Sequence, residues 1–296
     1  MHRASSTVAI VLLIALPTTV LGDGNGVPVC TAPGDQLLPV AVSDMAGGLV
    51  VAWHDGRPTV ASGGVCFAQR LGPSGVAQWT ADGVQLSTTG DPGSSSSGGP
   101  SPARVAIASD GAGGAFVAYG GFSAPCHVQR VNAAGVPQWG ADGVALTFMT
   151  GDRDLAITRD LGGSGGAIVA WRLDNGTGGL SDIYMQKVDS TGALLWTALG
   201  QAVTSTSATS EERPALFSDG AGGVFVAWNG GRLKIQRFDS NGQSLWSQIP
   251  VGMTVNNEAA VMASDGSGGV IVAWAGGGAN AQRVSAAGAR SYLTPE

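Results

Sequence analysis

Lysine is almost missing from this chain: 296 residues hold only Lys187 and Lys234. Charged residues make up 12%, the net charge is −6, and Lys and Arg form no run. Binding a phosphate backbone needs a basic patch, so nucleic acid is excluded as a partner. Cysteine is also scarce. Cys30, Cys66 and Cys126 are an odd set, too few for a disulfide framework, so a packed core must hold the fold. One disulfide in an oxidising compartment and three free thiols both fit this set. Only three histidines occur, His2, His54 and His127. There is no Gly-x-Ser-x-Gly elbow, His-Glu-x-x-His, Cys-x-x-Cys or phosphate loop. These absences point to no catalytic residue, no metal and no cofactor. No stretch has a 3.6-residue apolar period, which argues against helices.

The longest apolar run, Val8 to Leu16, is shorter than the ~20 residues a membrane span needs, and Pro17 breaks it. Preceded by His2-Arg3 and followed by Val20-Leu21-Gly22, it reads as a secretory signal peptide over 1–22. The mature chain, 23–296, is then secreted, periplasmic or on the cell surface, with no membrane span.

Glycine is abundant, 48 residues without a collagen period, and apolar residues reach 44%. The glycines mark a repeat. Asp44, Asp110, Asp160, Asp219 and Asp265 each open a turn with a Gly pair, followed by an apolar strand that ends on an aromatic. A second strand carries Gln plus a base, as in Gln69-Arg70 and Gln186-Lys187. A turn then ends in Gly, with a second aromatic four residues later and a short apolar strand beyond. With the strand ahead of each Asp, every copy has four strands, the content of a propeller blade. The fifth copy stops before its fourth strand. Residues 26–31 (Gly26 to Thr31) align with Gly83 to Thr88 and can supply it, pairing an edge that would otherwise invite aggregation. The sequence therefore predicts an all-β, five-bladed β-propeller with four antiparallel strands per blade, the last blade closed by the N-terminal strand.

Ten aromatics fill the ten repeated slots: Trp53, Trp79, Tyr119, Trp139, Trp171, Trp196, Trp228, Trp246, Trp274 and Tyr292. A sugar-stacking site needs one or two, placed asymmetrically. Fivefold repetition marks packing units between blades, each burying roughly 150–250 Å². The repeated Asp shapes its turn by accepting backbone N–H groups. One carboxylate per turn is too few for calcium, which takes six to eight oxygens. The repeated Gln is expected to bond a neighbouring strand or turn. The base beside it is expected to reach solvent or a turn acid such as Asp189 or Asp239.

Strand alternation sorts the connections onto two faces. The Asp turns and the Gly turns are uniform and share one face. The second-to-third loops and the links between blades share the other, where the copies diverge and scattered charge collects. Loops on a rigid scaffold are where binding concentrates. Asp55, Arg57, Asp152, Asp154, Arg172 and Asp174 are the candidate ligand-binding residues. The function expected is a secreted, non-enzymatic binding module for a glycan, cell-wall polymer or protein. A five-bladed glycoside hydrolase is the alternative, which needs paired carboxylates about 5–10 Å apart near the ring centre. A purely structural envelope component is a third. Asn175-Gly176-Thr177 is a glycosylation sequon, meaningful only in a host with that machinery.

The unit Pro-x-x-x-Ser-Asp-Gly-x-Gly-Gly…Val-Ala-Trp…Gln-Arg…Gly-x-x-x-Trp…Gly-Val-x-Leu resembles tandem repeats of secreted bacterial proteins. Gly26 to Gln36 is similar to the junction segment of that family. The resemblance spans nearly all of 23–296 and implies export and a propeller-like fold, with no activity to carry over. The Ser-Asp-Gly turn also resembles the Asp-box of sialidase-type propellers but departs from its Ser-x-Asp-x-Gly spacing. The Gly-x-x-x-Trp turn resembles quinoprotein blades without any quinone site.

Overall fold

The computed structural model describes residues 26–61, 64–89, 105–121, 124–147, 153–174, 180–205, 209–253 and 259–291. Residues 1–22 with the expected signal peptide, Asp152, the sequon at Asn175 and Tyr292 lie outside the described residues.

Among the described residues, twenty strands form five antiparallel four-stranded sheets, each taken in sequence order. The first holds β1 (Gln36–Ser43), β2 (Leu49–Asp55), β3 (Val65–Leu71) and β4 (Val84–Gln85). The second holds β5 (Val105–Ser109), β6 (Ala115–Gly121), β7 (Ala124–Val131) and β8 (Val144–Ala145). The third holds β9 (Arg153–Arg159), β10 (Ala167–Asp174), β11 (Ser181–Val188) and β12 (Gln201–Ala202). The fourth holds β13 (Glu212–Ser218), β14 (Val224–Asn229), β15 (Leu233–Phe238) and β16 (Ile249–Gly252). The fifth holds β17 (Val261–Ser264), β18 (Val270–Ala275), β19 (Ala279–Val284) and β20 (Arg290–Ser291). The first strands pack in succession, β1 on β5, β5 on β9, β9 on β13 and β13 on β17. They are the inner strands, and the sheets are the blades of a five-bladed propeller. No helix occurs among the described residues.

The core lies between blades, in separate apolar layers. Val50, Ala52, Cys66 and Leu86 of blade 1 meet Val105, Val117 and Tyr119 of blade 2. Phe116, Trp139 and Leu146 of blade 2 meet Leu155, Val169 and Trp171 of blade 3. Equivalent layers join blades 3 to 4 and 4 to 5. Such layers explain why β2, β6, β10 and β14 are rich in Val, Ala and aromatics: both faces of each strand are covered.

The Asp turns are alike. In four of the five, one carboxylate oxygen accepts the N–H groups two and four residues on, as Asp44 does from Ala46 and Gly48, both at 2.8 Å. In the longer turn of blade 3, Asp160 divides the same two bonds, Oδ1 accepting from Gly162 N and Oδ2 from Ser164 N. The second oxygen takes the base of the third strand: Arg70 on Asp44, Arg130 on Asp110, Lys187 on Asp160, Arg237 on Asp219 and Arg283 on Asp265, at 2.8–3.2 Å. The base therefore does not reach Asp189 or Asp239. The second strand lies between the first and third, which sets the base beside the first turn of its own blade. The Gln beside the base holds the Gly turn, as expected. Gln69 Oε1 accepts from Trp79 N, and Gln69 Nε2 donates to Thr80 O. None of the three cysteines forms a disulfide, and Cys66 and Cys126 are buried.

Residues 26–31 carry no strand, and the fifth sheet takes Arg290–Ser291 as its fourth. Against blade 1, however, they repeat what a fourth strand does elsewhere. Thr31 N donates to Asp82 at 2.7 Å, as Thr88 N does to Asp142. Val27 lies over Gly75 as Val144 lies over Gly192. Val29 and Cys30 cover Trp53, Val65 and Phe67.

Candidate functional site

Three inner strands share an irregularity at the loop-face end. Leu38 in β1, Asp154 in β9 and Arg213 in β13 each stand six residues before the turn Asp and adopt φ of 53–55°. The strand register shifts at each of these points. These are bulges with a left-handed residue, a device that bends a strand and redirects its side chains. A non-glycine residue there costs about 1–2 kcal/mol.

The bulges in β9 and β13 build a charged cluster around Arg172 of β10. Arg172 Nη1 lies 3.0 Å from Glu212 Oε1 and 3.9 Å from Asp154 Oδ2. Its Nη2 lies 3.1 Å from Asp174 Oδ1. The Arg213 amide donates to Asp154 Oδ2 at 3.2 Å, and the Ser210 hydroxyl to Glu212 Oε1 at 3.1 Å. Three carboxylates from adjacent blades thus share one guanidinium. Burial pushes the Asp154 carboxyl above its ordinary range, against the Arg213 amide and the Arg172 charge, which pull it down. The cluster also holds two buried polar atoms with no hydrogen-bond partner among the described residues, Asp154 Oδ1 and Arg172 Nε. Native interiors pair nearly all such atoms.

Glu211, one residue before Glu212, points a different way. It is 1% exposed, and its Oε1 accepts from Lys234 Nζ at 2.9 Å. Its backbone is pinned to blade 3, because Glu211 N donates to Ser181 O and Ser181 Oγ donates to Glu211 O, both at 2.9 Å.

Of the sequence-derived candidates, Asp154, Arg172 and Asp174 come together here. Asp55 and Arg57 form a separate unit on blade 1. Asp55 is fully buried and accepts from the Trp53 indole at 2.8 Å and from the Arg57 guanidinium at 2.7 Å. Arg57 lies 3.9 Å over the Phe67 ring and donates to the carbonyl of Asp82. This unit holds the loop, the blade and the N-terminal segment together. Glu211, Glu212 and Lys234 were not among the candidates, although both glutamates stand with the scattered charge of the variable link ahead of β13 and are two of only four in the chain.

Among the described residues no group of three His, Cys, Asp or Glu is set to hold a metal, and no helix is long and apolar enough to cross a membrane.

No family model matches the chain, and no curated protein does. Solved structures do. A protein of unknown function from Dyadobacter fermentans aligns over 88% of this chain and 83% of its own, with a TM-score of 0.52 at 12% identity. An α-L-arabinanase from Penicillium chrysogenum, complexed with arabinobiose, covers 88% and 82%, with a TM-score of 0.49 at 14% identity. An endo-1,5-α-L-arabinanase from Thermotoga petrophila covers 87% and 70%, with a TM-score of 0.42 at 10% identity. The first supports the fold alone.

Proposed function

We propose that the chain is an exported, non-catalytic binding module that holds a glycan on its loop face, over Asp154, Arg172, Asp174 and Glu212. The observation behind this reading is the unpaired donor and acceptor within one buried cluster, Arg172 Nε and Asp154 Oδ1. A sugar hydroxyl is both donor and acceptor, and it answers both atoms once the cluster opens to admit it. The cluster is also rigid: it stands on strand ends rather than loop tips, and three charged contacts to one guanidinium fix its geometry. Export is carried by the leader at 1–22.

A glycoside hydrolase is the second reading, favoured by the Asp154 carboxyl. Two acids in unlike environments can divide acid and base roles. Asp154 is raised by burial, and Glu212, on the neighbouring inner strand, shares its guanidinium.

A glycan array probed with residues 23–296 tests both readings. Binding that is lost in Arg172→Lys, which keeps the charge but loses the Nε donor, supports the module. Release of reducing ends from a bound glycan, abolished in Asp154→Asn, replaces it with the hydrolase. No glycan bound or cleaved overturns both.

A further inference from the structure

Basic groups are scarce in this chain, yet three meet at one cleft on the outer side of blade 4. The cleft, of about 400 Å³, is lined by Gly230, Gly231, Arg232, Lys234, Gln248 and Pro250. Arg290, from blade 5, donates to the carbonyl of Pro250 at 2.9 Å. Three of the chain's fifteen Lys and Arg side chains thus gather here. The carboxylate of Glu211 answers one of them, Lys234. Arg232 and Arg290 are exposed and carry no ion pair among the described residues. On a chain of net charge −6, this patch is locally positive.

The backbone keeps the cleft open. Gly231 sits at φ +69°, and a side chain on Gly230 would run into the Glu211 carboxylate. Both positions therefore favour glycine, and the hairpin between β14 and β15 presents bare backbone beside the two cations.

The cleft and the axial cluster are neighbours. Glu212 reaches Arg172 at the axis, and Glu211, one residue earlier, reaches Lys234 in the cleft. The dipeptide Glu211-Glu212 thus ties the cleft to the axial cluster.

We infer that this cleft is a subsite for a carboxylated sugar, a uronic acid residue of the glycan held at the axial cluster. The inference rests on the glycan reading above and adds its chemistry. Arg232 is free to fork onto a sugar carboxylate, which guanidinium geometry favours over a point charge. Gln248 offers an amide to ring hydroxyls, and the volume suits a single sugar residue. The ligand class is an acidic polysaccharide whose uronate sits at blade 4 and whose hydroxyl-rich neighbour sits at the axis.

The test is calorimetric titration of the 23–296 chain at low salt with an oligogalacturonate and with its carboxyl-reduced, neutral counterpart. The acidic form should bind roughly tenfold more tightly, as one charge-assisted contact allows. Arg232→Gln and Arg290→Gln, both at exposed positions, should bring the ratio near one without changing affinity for the neutral form. Arg172→Lys should weaken both forms alike. Equal binding of the two forms by the unaltered chain overturns the inference, as does a preference that survives both arginine substitutions. Displacement of the acidic oligomer by inorganic phosphate as readily as by free galacturonate also overturns it. Acidic binding that survives Arg172→Lys overturns the axial reading and leaves the cleft standing.

Discussion

The indole N–H of Trp79 donates to the carbonyl of Ala133 at 3.0 Å, across the boundary between blades 1 and 2. Trp139 repeats the bond to Ser190, Trp196 to Ser240 and Trp246 to Ala286. In the first four blades the second aromatic therefore packs on the next blade and also hydrogen-bonds to it. Trp79→Phe keeps the ring and loses the bond, which should cost about 1 kcal/mol. Trp79→Ala should cost about 3–5 kcal/mol. Urea midpoints of the two variants check the split.

Each of these rings lies on the turn glycine of the following blade. A Cβ on Gly135 would stand 2.6 Å from Trp79, at a φ of +79°. Gly220 has the same φ with nothing within 4 Å. Gly220→Ala should therefore cost only the left-handed backbone, about 1–2 kcal/mol. Gly135→Ala should cost clearly more, because the Trp79 ring must move. Equal losses in thermal unfolding would show that the ring does not rest there.

Acid should unfold the protein through its turn aspartates. Burial alone would raise Asp44, but hydrogen bonds from Ala46, Arg70 and Gly48 outweigh it and hold the carboxyl below 3.8. Asp55, Asp160 and Asp265 are lowered in the same way. A lowered carboxyl adds stability above its unfolded value and loses it as pH falls through its folded value. Stability should thus drop steeply below about pH 4. Asp154 runs the other way: raised by burial, it favours the fold at low pH and loses that contribution as pH rises from 3.8 through its folded value. Asp154→Asn should flatten the profile above about pH 4, read from urea midpoints.

Deleting residues 23–31 uncovers Trp53 and Phe67 and frees Asp82. The loss should exceed about 2 kcal/mol, the scale of uncovering one large side chain. If the segment also completes the last blade, amide exchange in β19 should quicken together with that in β2 and β3. Faster exchange in β2 and β3 alone would assign the segment to blade 1 only.

The fold was legible because the sequence states it five times. A Trp in a fixed slot, a Gln that anchors a turn and an Asp that shapes one read the same in any copy. The partner of the repeated base was misplaced, since Asp189 and Asp239 are nearer in sequence while sheet pairing brings Asp160 and Asp219 nearer in space. The site was half legible. Charge in variable positions singled out Asp154, Arg172 and Asp174. It could not separate them from Asp55 and Arg57, whose bonds are spent inside blade 1. The bulges left no trace, because Leu38, Asp154 and Arg213 share a backbone shape and no side-chain chemistry. Glu212 joins the cluster only through that shape.

The central claim is that the repeated residues build the scaffold and Arg172 serves the ligand. The dissociation constant of the tightest array glycan, measured beside the thermal midpoint for Arg172→Lys and Trp79→Phe, tests it. Arg172→Lys should weaken binding roughly tenfold or more at temperatures where the variant is still folded, with the midpoint lowered by the lost ion-pair geometry. Trp79→Phe should lower the midpoint and leave binding unchanged. Affinity lost in Trp79→Phe and kept in Arg172→Lys would contradict the account.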